Sequence, residues 1–400
     1  MKNKKYNFYK KKLKNGLTIL FEKRNQPVVS VSASVKEGSA YETEKQKGIS
    51  HFAEHLMFKG TKTRSYMEIA KEIEGKGGIL NAGTSEEYTT YWNKIPSKYF
   101  ATGIDIASDL ILNPKFDAAE FEKEKKVILE EIKMYKDNPQ LHVLDKIKEM
   151  LYKKPFGISG TGTNESVLGL KREDLIKFHD SNYSTNRMFL CVVGNTTIEK
   201  IEEFGNRFPK KFSAVKRTVP VKINKDLIER RRGIDQANLA FGFHASGLED
   251  NKRYAHELFN VILAGGMSSR LFEEIREKRG LAYAVRGVLE QGKNFGHHII
   301  YVGTTKDKAK ECKEIILKEI KKMNSLQERD LKEAKEQLTG LRKVGSEESV
   351  NVMNSLVAEE IAGNAEEYYN YEERVNSARL SDVREISKIN NYSCFSLIPE

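Results

Sequence analysis

Ile73-Glu-Gly-Lys-Gly-Gly-Ile-Leu-Asn81 in the first half of the chain and Ile275-Arg-Glu-Lys-Arg-Gly-Leu-Ala-Tyr283 in the second follow one pattern, with Gly78 aligned on Gly280. Each copy follows an amphipathic helical stretch and leads into strand-type sequence. The halves also finish alike: an acidic helix start, Arg172-Glu173-Asp174 or Leu380-Ser381-Asp382, then Asn182-Tyr183 or Asn391-Tyr392, then a last apolar strand. A weak similarity that recurs in the same order predicts a duplicated plan. The expected fold is α+β: two similar domains, each a mainly antiparallel sheet packed against helices. A chain of 400 residues exceeds one ordinary core and suits two domains of roughly 200 residues each. The stretch Asn206 to Lys222, rich in Lys, Arg and Pro, is the candidate linker, so domains are expected at 1–210 and 211–400.

Outward from the first copy, Asn15-Gly16 reads as a hairpin turn before the strand Leu17 to Phe21, and Val28 to Val35 alternates as a second strand. Helical periodicity runs from Lys47 to Phe58 and from Tyr66 to Glu74; strands follow at Ile79 to Ala82 and Tyr88 to Ile95. Helices then dominate to about Tyr152, and Met188 to Val193 is a closing strand.

Hydrophobic residues at 39% and charged residues at 31% fit a globular chain rather than a disordered one. The apolar runs are strand-length, too short for a membrane span. A net charge of +11 raises the question of nucleic acid. Lysines alternate with acids throughout, as from Lys306 to Lys322, and no basic run is interleaved with aromatics, so a solvated lysine-rich surface is expected and nucleic-acid binding is not. Seven lysines in the first fourteen residues are followed by no apolar core of a signal peptide. Cys191, Cys312 and Cys394 lie far apart with no C-x-x-C pair. That pattern suits a reducing, cytoplasmic location, with the thiols as small hydrophobes.

His51-Phe-Ala-Glu54-His55 has the pattern H-x-x-E-H. On a helix, His51 and His55 stand one turn apart on one face, as two imidazoles on one zinc ion require. Glu54 lies beside them, within reach of a water at the metal. Ile49, Phe52, Ala53 and Leu56 form the opposite apolar stripe, so one face enters a core while the other meets a cleft. Catalytic zinc takes a third protein ligand. In the helical stretch from about Ala118 to Tyr135, the inner stripe is Phe121, Ile128, Ile132 and Tyr135. Glu124 and Glu131 flank it two turns apart, whereas Glu130 falls on a charged face with Lys123, Lys126, Lys133 and Asp137. Periodicity therefore selects Glu131 as third ligand. Glu124 is either a partner behind the ligands or a plain solvated carboxylate.

The stretch Gly48-Ile-Ser-His51-Phe-Ala-Glu54-His55-Leu-Met-Phe-Lys-Gly-Thr61, with Glu131 in Val127-Ile-Leu-Glu-Glu131-Ile, resembles the inverzincin peptidases of the pitrilysin, insulin-degrading enzyme and mitochondrial processing peptidase group. Gly77-Gly78-Ile-Leu-Asn81-Ala-Gly-Thr84 and Gly265-Gly266-Met-Ser-Ser-Arg270-Leu-Phe extend the resemblance over most of the chain. It implies a zinc endopeptidase for unfolded peptides or short processed segments, with one Zn2+ per chain on His51, His55 and Glu131 and with Glu54 as catalytic base. It also implies a clam-like chamber, a metal-free second domain contributing Arg276 and Tyr283 to substrate contacts, and a homodimer or a heterodimer with a paralogue. The strand Ile79 to Gly83, with Asn81 and Ala82 at its centre, is the natural template for an added substrate strand. A guanidinium at Arg276 can hold carbonyls and a phenol at Tyr283 can stabilise an oxyanion. His256-Glu257 and His297-His298 lack the ligand pattern and are expected to be structural. The alternative function is a non-catalytic subunit of a peptidase complex, a role usually marked by lost metal or base residues; this chain keeps all four.

Overall fold

The computed structural model describes residues 2–3, 6–214 and 218–400. Residues 215–217 of the expected linker, and Lys4 and Lys5 of the N-terminal lysine run, lie outside the described residues.

The chain divides into two compact units. The first holds a seven-stranded sheet made of β1 (Lys2–Asn3), β2 (Phe8–Lys12), β3 (Thr18–Lys23), β4 (Val28–Val35), β5 (Ile79–Thr84), β6 (Thr89–Pro96) and β7 (Met188–Gly194), in the order β1-β2-β3-β7-β4-β6-β5. The second holds five strands, β8 (Asp226–Arg231), β9 (Ala237–His244), β10 (Ala282–Gln291), β11 (Gly296–Thr304) and β12 (Ser393–Pro399), in the order β10-β11-β9-β12-β8. Without β1 and β2, both sheets read first, last, second, fourth, third. In both, the first and last strands form the parallel pair, β3 with β7 and β8 with β12, and the other pairs are antiparallel. Two α+β units of one topology are thus present.

The repeat differs by one residue from the expected alignment. In the first unit, helix α2 (Tyr66–Glu74) ends on left-handed Gly77 (φ 75°), and the Gly78 N–H reaches the Ile73 carbonyl at 3.0 Å. In the second, Phe272–Glu277 winds as a π-turn, Gly280 is the left-handed residue (φ 58°), and the Leu281 N–H reaches the Ile275 carbonyl at 2.9 Å. The wider turn accommodates one extra residue, so Gly280 answers to Gly77 and not to Gly78. A β-bulge follows at once: Ala282 pairs with Thr304 and Ala284 with Gly303, leaving Tyr283 between them.

Alternation explains how the first sheet is buried. Val29, Val31, Ala33 and Val35 of β4 enter the main core with helix α1 (Ile49–Met57) and with α3 (Phe100–Leu112). Ser30, Ser32 and Ser34 face the other way and are fully buried as well. That side is covered by the helix Ser349–Ala362, whose Val352, Met353, Leu356 and Val357 pack on Phe189, Cys191 and Val193, and whose Ser349 hydroxyl meets Ser30 at 2.8 Å.

The division of the chain is consequently not a single cut at 210. The first unit comprises 1–132, 160–218 and 345–369; the second comprises 133–159, 219–344 and 370–400. The helix Pro139–Leu151, early in the chain, packs on β9 and β12, while Ser349–Ala362, late in the chain, covers the first sheet. Amphipathicity shows that a helix buries one face but not which sheet receives it, so the exchange leaves no local signature. The three thiols are buried and free, as small hydrophobes should be. Among the described residues no helix is long and apolar enough to cross a membrane.

Candidate metal centre

Helix α1 begins at Gly48, whose φ of 91° is left-handed, and a Cβ there would lie 2.6 Å from the Thr161 carbonyl oxygen. Only glycine enters the helix by this path. No side chain caps it at that position. The buried carboxylate of Glu42 accepts from the Gly48 N–H at 3.0 Å and the Ser50 N–H at 2.8 Å, which satisfies amide donors of the first turn. Lys47, itself fully buried, lies 3.7 Å from Glu42 and donates to the Ser39 carbonyl at 2.7 Å. The facing helix α4 (Ala118–Asp137) is started by Asp117, whose carboxylate accepts from the Ala119 and Glu120 amides at 2.9 and 3.2 Å. The two helices meet through Phe52 and Phe121, stacked with ring centres 4.9 Å apart. With Ile49, Ala53, Leu56 and Ile128 also buried, the polar stripes of α1 and α4 are left facing each other.

Those stripes bring three donors together. The Nε2 atoms of His51 and His55 are 3.2 Å apart, and each lies 3.6 Å from Oε2 of Glu131. Bonds of roughly 2.0–2.1 Å in a tetrahedron put neighbouring donors roughly 3.3–3.4 Å apart, so the set fits one zinc ion. Two nitrogens and one carboxylate oxygen are also the donor chemistry zinc prefers, leaving a fourth position. No other such group of His, Cys, Asp and Glu occurs among the described residues. Glu130 is exposed on the far side of the helix, as its periodicity predicts.

Behind the centre, Nδ1 of His55 is 3.1 Å from Glu124, and Lys59 holds the other Glu124 oxygen at 2.8 Å. Burial opposes charge on Glu124, but the hydrogen bonds from His55 and Lys59 outweigh it and hold the carboxyl below its usual range. An ionised carboxylate only accepts, so Nδ1 of His55 carries the proton and Nε2 presents its lone pair to the centre. Glu124 is therefore a buried carboxylate bonded to His55 and Lys59, not a solvated one. Burial, reinforced by His55, pushes His51 down to about 4, keeping that imidazole neutral and able to ligate.

Glu54 lies on the same helix with its Oε2 accepting from the Thr84 hydroxyl at 2.5 Å. Burial is the larger influence on its carboxyl and raises it, against the hydrogen bond from Thr84 and the charge of His55. Thr84 ends β5, the outermost strand of its sheet. Asn81 is exposed on that strand, and its side-chain oxygen accepts from the Ala82 N–H at 2.8 Å. Thr84, Lys59 and Glu42 were not singled out in the sequence. Thr84 has a signal, its place closing Asn81-Ala-Gly-Thr84, but Glu42 and Lys59 act through folded geometry alone.

Arg276 and Tyr283 belong to the second unit. Arg276 sits in the π-turn with its guanidinium 4.8 Å from the Phe272 ring centre. Tyr283 is 65% exposed in the bulge of β10, the kind of irregularity that re-aims a side chain. Of the residues in His256-Glu257 and His297-His298, the three histidines are buried and Glu257 accepts from the Tyr371 hydroxyl at 2.5 Å; His256 and His298 are joined ring nitrogen to ring nitrogen at 2.9 Å, and His297 meets the Tyr152 hydroxyl at 3.2 Å.

The family profile described as Insulinase (Peptidase family M16) matches residues 18–164, and the one described as Peptidase M16 inactive domain matches residues 169–338. A protein of Rickettsia felis named an uncharacterized zinc protease is 37% identical over 355 residues, 84% of this chain and 82% of that one. The chain belongs to the M16 peptidase family. A Bacillus subtilis protein with the same kind of name is 32% identical over 357 residues, 86% of this chain and 87% of its own length. In fold, the M16 chain matches the crystal structure of a protease from Helicobacter pylori with a TM-score of 0.90 at 21% identity, covering 98% of this chain and 99% of that one. The M16 inactive-domain profile falls on the half without an H-x-x-E-H pattern, and the M16 peptidase profile on the half that carries it.

Proposed function

We propose that this M16 chain is a zinc-dependent endopeptidase acting on unfolded peptides, with His51, His55 and Glu131 as ligands and Glu54 as general base. The observation that carries the reading is the convergence of three donor atoms 3.2 to 3.6 Å apart with a half-buried, hydrogen-bonded carboxylate alongside. Bound zinc would supply Lewis acidity at the scissile carbonyl and ease ionisation of the attacking water. Glu54 takes that water's proton and returns it to the leaving amine, a task suited to a carboxyl raised by burial. Ala82, on an outermost strand, offers backbone groups to an extended peptide, which must first displace the neighbouring Asn81 side chain from the Ala82 N–H. We assign Arg276 and Tyr283 to the substrate's carbonyls and the developing oxyanion.

Incubation of the zinc-loaded protein with a mixed peptide library, followed by mass spectrometry, tests the reading; chelator-sensitive internal cleavage is expected, and its absence from fully loaded protein would sink it. Two variants sharpen it. Thr84→Val removes the hydroxyl that holds Glu54, so kcat should fall by about 10-fold or more with zinc content unchanged, and Thr84→Ser should restore it. Tyr283→Phe should lower kcat by about 10²-fold with KM and zinc little altered. A rise in KM with kcat unchanged would mean that the phenol binds substrate and transition state alike and does not hold the oxyanion.

A further inference from the structure

The repeat leaves one place filled in the first unit and open in the second. In the first, the helix Ile198–Gly205 follows the last strand and lies against β3 and the start of α3. Its Ile201 is fully buried, and Phe204 meets Phe100, the first residue of α3, with ring centres 6.3 Å apart. A Cβ at Gly205 would come within 2.8 to 3.3 Å of Leu13, Leu17 and Ile19, so the packing is close. Beneath it Ile19 of β3 is fully buried.

In the second unit β8 answers to β3, and the helix Ala309–Lys322 answers to α3, each helix following the fourth strand of its sheet. Between β8 and the start of that helix is a cleft of about 420 Å³. Cross-strand pairing puts Ile228, Ser396 and Leu239 in one row along its floor. Ile228 is 63% exposed where Ile19 is covered, and Ala309 stands where α3 begins with Phe100. Among the described residues no helix takes that place. The opposite wall is basic, lined by Lys306, Lys310 and Lys313. Lys313 holds Asp226 at 2.7 Å, and Asp226 also accepts from the Cys394 N–H at 2.8 Å, so the one carboxylate of the lining is already engaged. Lys306 and Lys310 are exposed, and Lys310 comes only within 4.0 Å of Glu314, one turn along its own helix. Such an exposed pair contributes little and leaves the amine available.

We propose that this cleft docks an acidic amphipathic helix of a partner protein, laid against β8 as Ile198–Gly205 is laid against β3. An apolar floor beside available ammonium groups fits an occupant that is apolar on one side and anionic on the other. Ile198–Gly205 shows the pattern: Ile198, Ile201 and Phe204 pack inward, and Glu199, Glu202 and Glu203 lie outward, with Glu202 held by Lys11 at 2.7 Å. In the partner, apolar side chains at that spacing fill the cleft over Ile228, Leu239 and Ile398, and carboxylates meet Lys306 and Lys310. Two helical turns cover well below the roughly 1,200 Å² at which standard stable interfaces begin, so binding is weak and salt-sensitive. The inference is independent of the peptidase reading.

Fluorescence anisotropy with the full chain tests it. The probe is a labelled, hydrocarbon-stapled peptide with the sequence of residues 197–205, held helical and so unsuited to a site for extended peptides. A Kd of roughly 10–100 µM is expected. Ile228→Arg, and separately the double variant Lys306→Glu with Lys310→Glu, should each weaken binding by about 10-fold or more. A probe carrying Glu199→Lys, Glu202→Lys and Glu203→Lys should bind the double variant and not the unaltered chain. All three protein positions are exposed, and unchanged thermal unfolding separates lost docking from misfolding. The proposal is overturned if the unaltered chain shows no saturable binding up to roughly 1 mM, or if the folded variants bind as the unaltered chain does. Displacement of the probe by an unlabelled unfolded peptide would put it at the metal centre and overturn the proposal too. So would a cleft that takes dodecanoate but not the probe, which is a site for a small amphiphile.

Discussion

Glu54→Gln is expected to leave zinc content at the unaltered level while peptide turnover falls by about 10²–10⁴-fold, the usual contribution of a positioned base. The substitution keeps size and shape, and the new side-chain oxygen can still accept from the Thr84 hydroxyl that now sits 2.5 Å from Glu54. His51, His55 and Glu131 are untouched, and so is the Glu124 bond that sets the His55 tautomer. What disappears is the capacity to hold a proton, since an amide is not protonated in this pH range. The deficit should therefore appear in kcat and kcat/KM together, with little change in peptide affinity. Metal analysis of the same preparation guards against a trivial cause. A fully loaded Glu54→Gln protein that cleaves at near-normal rate would remove Glu54 from the mechanism. Comparison with Thr84→Val is informative: a silent Thr84→Val beside an inert Glu54→Gln would cost only the positioning role of the threonine.

Much of this site could be read before any coordinates, because helix periodicity is a strong constraint when ligands lie on helices. His51 and His55 one turn apart, and Glu131 rather than Glu130 on the inner side of α4, required only 3.6 residues per turn and the positions of Phe121 and Ile128. The strands of the first sheet were legible for a similar reason. Val29 to Val35 alternates strictly, and the serines on its second face are buried under a helix rather than exposed. That covering helix, Ser349–Ala362, was illegible as such: its apolar face is compatible with either sheet, and nothing local records that it crosses to the first unit while Pro139–Leu151 packs on the second. The one-residue slip between the repeats was hidden for another reason. An extra residue absorbed by a π-turn leaves the glycine pattern looking aligned, and only the hydrogen bonds of Gly77 and Gly280 reveal the offset. Glu42, which anchors the start of α1 from six positions before Gly48, gives no motif at all.

Glu131→Gln is expected to strip the centre of zinc, and the graded response of three glutamates on one helix is the sharpest test of how that helix is turned. Among the described residues, Glu131 offers the one carboxylate oxygen within 3.6 Å of both imidazole nitrogens. A neutral amide in its place supplies a weaker donor and no charge to offset a divalent cation, so metal affinity should fall by more than about 100-fold. Glu124→Gln acts one step further back. The amide oxygen can still accept from Nδ1 of His55, but the charge that favours this tautomer is gone and Lys59 loses its 2.8 Å partner. A loss of about 10–100-fold is expected, as for other supporting residues of metal sites. Glu130→Gln, on the exposed face, should match the unaltered protein in zinc content and turnover. Thermal unfolding supplies a second readout, because zinc that binds only the folded chain stabilises it in proportion to the logarithm of its free concentration over Kd. A chelator should then lower Tm for the unaltered chain and for Glu130→Gln, while Glu131→Gln, already without metal, should not respond. Equal zinc loss at 130 and 131, or loss at 130 alone, would mean that the wrong face of α4 has been turned to the histidines.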